Sequence, residues 1–480
     1  MITTKSLLME LPGSRQSGQK ASARPLVMLA PVKLLAIRLG KQTTLAKSLV
    51  LVALSTTFPA KAADLLEAYH AAQAQDAVFA AARAAHQAGQ EKLPQGLALL
   101  LPSVNLNADS TYNDNSLQYR NGTPQSTSRF NDYGYGVNLT QPLFRQQNQV
   151  LYAESKLQVV QADEQFRAAE QDLVVRVAQA YFDVLITQDS VQLAEAQKTA
   201  ISEQLEQAKR NFEVGTATIT DTLEAQARYD LVVAQEIAAQ SNMEIKKRAL
   251  QQLTGAKADN LRQLGRQFKL ETLQTANMEK WVDEAQQHNP LLAVAQLSAE
   301  LADKEAVRNR GGHYPTLDLV ANYSANYAGG SSLGVGSDSR NASVGVQFSV
   351  PLYQGGAIRS KVREAEANRD RAREELETAR RNVVLQTHQA YLGVVNGIAQ
   401  VRALQQALKS SESLLEASKL GQEVGVRTNL DVLNAQQQLY STRRDLYQAE
   451  YNYLVSQLQL KAAAGTLAED DIAKVNQALY

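Results

Sequence analysis

Hydrophobic positions recur along this chain with two periods, helical over most of its length and alternating in four short runs. From Leu143 to Val214 the chain runs 72 residues without a Gly or Pro and is rich in Ala, Gln, Glu, Leu, Val and Arg, all inexpensive in a helix interior. At 1.5 Å per residue this predicts a rod of roughly 100 Å, about three times the thickness of a bilayer core. Val177, Val184 and Val191 fall on one heptad line, and Ala194, Ile201 and Ala208 on the next. Two adjacent seams of small residues predict packing on more than one side, as in a wall of helices. An ordinary long coiled coil fits this stretch equally well, and the remaining chain has to decide. Lys156, Glu164, Arg167, Glu170, Asp172 and Arg176 punctuate the rod, which excludes it as a membrane span.

Between Pro102 and Pro142, and again between Pro315 and Pro351, the period falls to two. Val104, Leu106, Ala108 and Tyr112 alternate with Asn105, Asn107, Asp109 and Thr111; Tyr133, Tyr135, Val137 and Leu139 alternate with Gly134, Gly136, Asn138 and Thr140. The second region repeats this, with Leu317, Leu319, Ala321, Tyr323 and Tyr327 in one run and Val344, Val346, Phe348 and Val350 in the other. One apolar face bearing tyrosines, one polar face, and about ten residues per strand is the pattern of an outer-membrane barrel. A pair of half-buried hairpins in a soluble domain would need further β sequence to complete it, and none is evident. Four strands cannot close a barrel, and lipid forbids open edges. Other copies of the chain must complete it: two protomers reach the minimum of about eight strands with a filled interior, three give about twelve and room for a pore. Each proline is expected at a helix–strand junction, with long helices following directly from Pro142 and Pro351.

The chain also repeats itself. Leu101-Pro102-Ser103-Val104-Asn105-Leu106 answers to Tyr314-Pro315-Thr316-Leu317-Asp318-Leu319, and Ala180-Tyr181, Val214-Gly215, Asp221, Ala225-Gln226 and Gly255 recur 210 residues later. This predicts a leader over residues 1–62, a first helix–hairpin–long-helix copy over 63–270 and a second over 271–480. Within each copy two rods meet at a short turn, Val214-Gly215-Thr216-Ala217 and Val424-Gly425-Val426-Arg427, where Gly permits the left-handed backbone of a tight helical hairpin.

Composition narrows the function. The 49 basic residues balance 49 acidic ones, so nothing points to nucleic acid. The chain has no Cys, which excludes disulfides, thiolate metal sites and a lipid-modified cysteine. Its five His are widely spaced and form no ligand pattern, and no nucleophile elbow or phosphate loop is present; an enzyme and a bound cofactor are not expected. Lys41 and Lys47, the apolar run Ser48–Phe58 and Ala60-Lys61-Ala62 read as a secretory signal with cleavage before Ala63. The first forty residues are either a long basic leader or follow from an early start codon. No later stretch is apolar enough for a transmembrane helix, so membrane insertion is expected through strands alone.

The order of these features, the junction Val350-Pro351-Leu352-Tyr353-Gln354-Gly355-Gly356, the tips Val214–Asp221 and Val424–Leu433, and the ending Ala464-Gly465-Thr466-Leu467 together resemble the TolC family of outer-membrane channels, over about Ala63 to Tyr480. The likeness is greater to its type I secretion members than to its lipid-anchored efflux branch. It implies a mainly α fold with a membrane β part: a homotrimer joining four strands per protomer into a twelve-stranded outer-membrane barrel above a long periplasmic α-helical barrel. It implies a periplasmic adaptor and an inner-membrane ABC exporter or proton-driven pump as partners, besides outer-membrane lipid. The adaptor would meet the tips at Val214, Gly215, Thr216, Ala217, Val424, Gly425 and Val426. By the same resemblance Asp431 belongs to a narrowing ring. Asn434 stands where the family has a second acid, and Thr220, Asp221 and Arg427 belong to a closing network in which Gln422 replaces a tyrosine. Asp221 and Asp431 also suit helix N-caps. An exit duct for protein secretion or efflux is the leading expectation; a periplasmic coiled-coil adaptor or spacer is the alternative, which leaves the four strands unexplained.

Overall fold

The ends of the rods are set by caps, glycines and prolines, and these are legible in the computed structural model. It describes residues 64–118, 120, 126–265, 270, 277–331 and 335–479; the expected leader at 1–62 falls outside them. Three short helices open the described chain, α1 (Leu65–Gln75), α2 (Ala77–Gln90) and α3 (Lys92–Ala98), followed by β1 (Ser103–Leu117) and β2 (Ser126–Phe144). The long hairpin α4 (Gln146–Glu213) and α5 (Ile219–Thr254) comes next, then α6 (Met278–His288), α7 (Pro290–Arg310), β3 (Thr316–Ala328) and β4 (Ser337–Ser349). A second long hairpin, α8 (Ala357–Glu423) and α9 (Asn429–Ala464), and the short α10 (Glu469–Asn476) end it. At 68 and 67 residues, α4 and α8 are each about 100 Å long.

Asp76 and Asn289 illustrate how capping organises the turns between short helices. Asp76 accepts from the Phe79 amide at 3.0 Å and from Arg176 Nη2 at 2.8 Å, which holds its carboxyl below the usual range, the Arg176 bond being the largest cause. Asn289 accepts from the Leu291 and Leu292 amides, and Pro290 follows it at the first helical position, where the missing N–H costs nothing.

The strand–helix junctions differ from the sequence expectation. β2 runs through Pro142 to Phe144, and its register against β3 shifts between these two residues; a bulge is where a strand accommodates a residue without an N–H. The first long helix therefore begins at Gln146 rather than at Leu143. In the second copy β4 ends before Pro351, and Gly355 and Gly356, with φ of 59° and 82°, delay α8 to Ala357. Neither proline leads directly into its helix.

The expected hairpins form, and β2 also pairs with β3, so the four strands make one antiparallel sheet in the order β1-β2-β3-β4. The register sets Leu106 against Val137, Val137 against Tyr323, and Tyr323 against Ala342, which keeps the alternating apolar residues on one face. Tyr133 and Tyr327 stack there at 5.0 Å, and Asn138 and Asn322 hydrogen-bond in the same central pair. The outer strands β1 and β4 have no partner on their far sides within the described chain.

The principal core lies where α4 and α9 cross. Tyr181, Phe182, Val184 and Leu185 pack with Tyr453, Leu454, Val455 and Leu458, joined by Leu65, Tyr69 and Ala72 of α1, Val394 and Val401 of α8, and Ile472, Val475 and Leu479 near the C-terminus. Full burial of each large side chain contributes roughly 1.5–3 kcal/mol. Tyr181 Oη donates to the Arg262 carbonyl at 3.0 Å. The predicted heptad residues Val177, Val184, Val191, Ile201 and Ala208 are buried, while Ala194 is half-buried. A smaller cluster of Ile201, Leu205, Ala208, Ala225, Val232 and Leu433 lies toward the far end of the hairpins.

Candidate functional site: the helical tips

Both hairpins turn by the same local chemistry. At the first, Gly215 takes φ 74°, and the amides of Thr216 and Ala217 donate to the Asn211 carbonyl at 2.8 and 3.1 Å. At the second, Gly425 takes φ 79°, and the amides of Val426 and Arg427 donate to the Gly421 carbonyl at 2.9 and 3.1 Å. Such wrapped carbonyls close a helix C-terminus, with Gly supplying the left-handed residue. Val214, Thr216, Val424 and Val426 are exposed and Ala217 is half-buried, so each apex presents a small apolar surface.

The returning helices start with capping boxes. Thr218 Oγ1 accepts from the Asp221 amide at 3.3 Å, and the Asp221 carboxylate accepts from the Thr218 amide and hydroxyl at 2.8 and 2.7 Å. Thr428 and Asp431 repeat this at 3.2, 2.9 and 2.8 Å. Thr218 and Thr428 are therefore the N-caps, and the two aspartates occupy the third helical position, so the simple N-cap assignment is corrected to its reciprocal partner. The Asp431 carboxyl is held below the usual carboxylate range by the backbone and side-chain bonds from Thr428, with the Arg427 charge assisting.

The residues singled out for the closing network divide between the hairpins. Thr220 and Asp221 lie in the first turn of α5. Arg427 makes its ion pair with Asp431, at 3.7 Å within its own hairpin, and Gln422 Nε2 donates to Asn429 Oδ1 at 3.4 Å. Asn434 has a different partner. Arg228 Nη2, on α5, donates to Asn434 Oδ1 at 2.9 Å while its Nη1 donates to Gln437 Oε1 at 2.5 Å. Sequence reasoning missed Arg228 and Gln437, because an Arg or Gln on a long polar helix reads as a solvated side chain until the crossing helix is in place.

Further along, Tyr451 Oη donates to Asp189 Oδ2 at 2.8 Å. Burial pushes the Asp189 carboxyl up to about 6 and the Glu450 carboxyl up to about 7, where the hydrogen bond with Gln405 opposes the shift and the Asp189 charge adds to it. Acidic groups thus face each other where α4 meets α9.

A sheet with alternating faces and open edges, continuous with helical hairpins of about 100 Å, defines an outer-membrane channel with a periplasmic helical tunnel; among the described residues no helix is long and apolar enough to cross a membrane. The chain belongs to the outer membrane efflux protein family, whose model matches residues 68–256 and 281–466, and it is a channel rather than an enzyme. It is 36% identical to the outer membrane protein TolC of Vibrio cholerae, over 87% of this chain and 94% of that protein. It is 34% identical to the alkaline protease secretion protein AprF of Pseudomonas aeruginosa, over 86% of each. The CmeC outer membrane channel of Campylobacter jejuni shares the fold with a TM-score of 0.73 at 18% identity, over 87% of this chain and 90% of that one.

Proposed function

We propose that this protein is the homotrimeric exit duct of a type I protein secretion system and/or a multidrug efflux pump, with its gate at the periplasmic tip. The observation that carries the reading is the pair of open edges on β1 and β4, whose strands keep large apolar residues exposed, Leu106 at 71% and Val344 at 77% among them. Lipid does not tolerate such edges, and three copies joined edge to edge would supply about twelve strands and a pore. Exposed Leu223, Leu231 and Ile245 on α5, and Leu385 and Leu392 on α8, would be covered by neighbouring copies in the helical tunnel. The name of AprF, a secretion protein for an alkaline protease, favours protein cargo.

In this reading the two repeats, 63–270 and 271–480, contribute one hairpin each. Asp431 would line the entrance as a ring of three like charges, which attracts cations and repels anions. Asn434, Thr220, Asp221, Gln422 and Arg427 would form the gate together with it. Val214, Gly215, Thr216, Ala217, Val424, Gly425 and Val426 would receive the periplasmic adaptor, which brings an inner-membrane ABC exporter or a proton-driven pump. A periplasmic adaptor or spacer would have no use for the exposed apolar sheet.

The test is the mass of the detergent-purified protein together with planar-bilayer recording. A heat-resistant trimer that inserts and conducts supports the duct. A monomer, or an oligomer without conductance, sinks it.

A further inference from the structure

The two hairpins are held together unevenly. At one end α4 and α9 close on the large aromatic core around Tyr181, Phe182 and Tyr453. At the tip end, Leu433 is the α9 residue in the small apolar cluster with Ile201, Leu205, Ala208, Ala225 and Val232. Gln436, three residues on, is only 4% exposed, yet its Oε1 has no hydrogen-bond partner among the described residues. A buried carbonyl left unpaired works against the packing that buries it. Among the described residues, the guanidinium of Arg228 ties the hairpins across this end, shared between Asn434 Oδ1 and Gln437 Oε1.

We propose that Arg228 is a positioning residue of the channel entrance: its fork fixes the first turns of α9, and with them Asp431, against the first hairpin, and its release frees the second hairpin to move. The role rests on the gated-duct reading above. A guanidinium presents parallel donors in a fixed plane, and Asn434 and Gln437, three apart on one helix face, offer acceptors it can bridge. Both acceptors are neutral amides and the Arg228 side chain is half-exposed, so water can replace either bond without leaving a buried charge unpaired. The tie is therefore directional but readily exchanged. A carboxylate at 434 would add an ion pair and hold longer.

The absence of Cys makes a direct test possible. Conductance is compared for the wild-type chain, Arg228→Ala, Arg228→Lys and Asn434→Asp. A fifth protein carries Arg228→Cys with Asn434→Cys, joined by a short reducible bis-thiol reagent. The proposal expects several-fold higher conductance for Arg228→Ala, a smaller rise for Arg228→Lys, and lower, salt-sensitive conductance for Asn434→Asp. The crosslinked protein should stay closed until reductant is added. Should Arg228→Ala fail to assemble, the crosslinked protein decides alone. Wild-type conductance in Arg228→Ala, or unimpeded opening of the crosslinked protein, overturns the role of Arg228. A wild-type chain that forms no pore at all overturns the duct reading itself, which distinguishes the two failures.

Discussion

Arg145 and Asp318, 173 residues apart, meet in a bidentate ion pair with Nε and Nη2 at 2.7 and 2.6 Å from the two carboxylate oxygens. Arg145 is the residue between the end of β2 and the start of α4, and Asp318 lies in β3. The pair thus fastens the first strand–helix junction to the second hairpin's strand. Asp318 is 8% exposed in its side chain and Arg145 39%, so removing the arginine strands a buried charge while removing the aspartate does not.

Arg145→Ala is accordingly expected to cost roughly 1–3 kcal/mol, discounted for the exposure of the arginine. Asp318→Asn should cost less. Thermal dissociation of the detergent-solubilised protein measures both, and equal losses would contradict the asymmetry.

Gly465 and Gly255 end α9 and α5 with φ of 74° and 70°. A Cβ on Gly465 would lie 2.2 Å from the His288 carbonyl oxygen, whereas one on Gly255 would first meet the flexible Gln75 Cγ at 3.1 Å. Both alanine substitutions carry left-handed strain of roughly 1 kcal/mol, but Gly465→Ala must also displace backbone. It is expected to lower the yield of folded protein far more than Gly255→Ala, as read from membrane-inserted amounts.

Asp431 completes the capping box of α9 and, in the proposed duct, also lines the entrance; substitutions can separate the two. Asp431→Ala removes the charge and half of a capping box, so cation selectivity and block by multivalent cations should fall. Thr428→Ala keeps the charge and loses the cap, worth about 1 kcal/mol. Reversal potentials in a salt gradient should shift for the first and not for the second. Equal selectivity in both would exclude Asp431 from the pore lining.

Glu450 and Asp189 give a pH dependence of known sign. Their folded acidities lie at about 7 and about 6, against ordinary carboxyl values of 4.5 and 3.8. The folded state therefore binds more protons than the unfolded chain across this range. The contribution to stability is fully present below the unfolded values and is lost as pH rises through about 6 and then about 7, as linkage requires. Glu450→Gln should flatten the upper part of this decline. Thermal midpoints measured across that window give the answer, and an undiminished slope in the variant would assign it elsewhere.

The periodicities made the architecture legible: a heptad line such as Val177, Val184 and Val191 buries a helix face by spacing alone, and the alternation around Tyr133 and Tyr323 sets a sheet face in the same way. Gly215 and Gly425 marked the tips, because a tight helical turn needs a left-handed residue there and few others adopt it. The sequence misplaced the rod ends, because Pro142 reads locally as a breaker and only its pairing across from Asp318 makes it part of a strand.

Local pattern by itself determined which segments are rods, which are strands and where the hairpins turn, since each follows from backbone preference and the side on which apolar residues fall. Tertiary structure alone decided that β2 pairs with β3 and that Arg228 bridges to Asn434 and Gln437. Those contacts join residues far apart in sequence or depend on which rotamer finds a partner, and a long, flexible, charged side chain carries no periodic signal of where it ends.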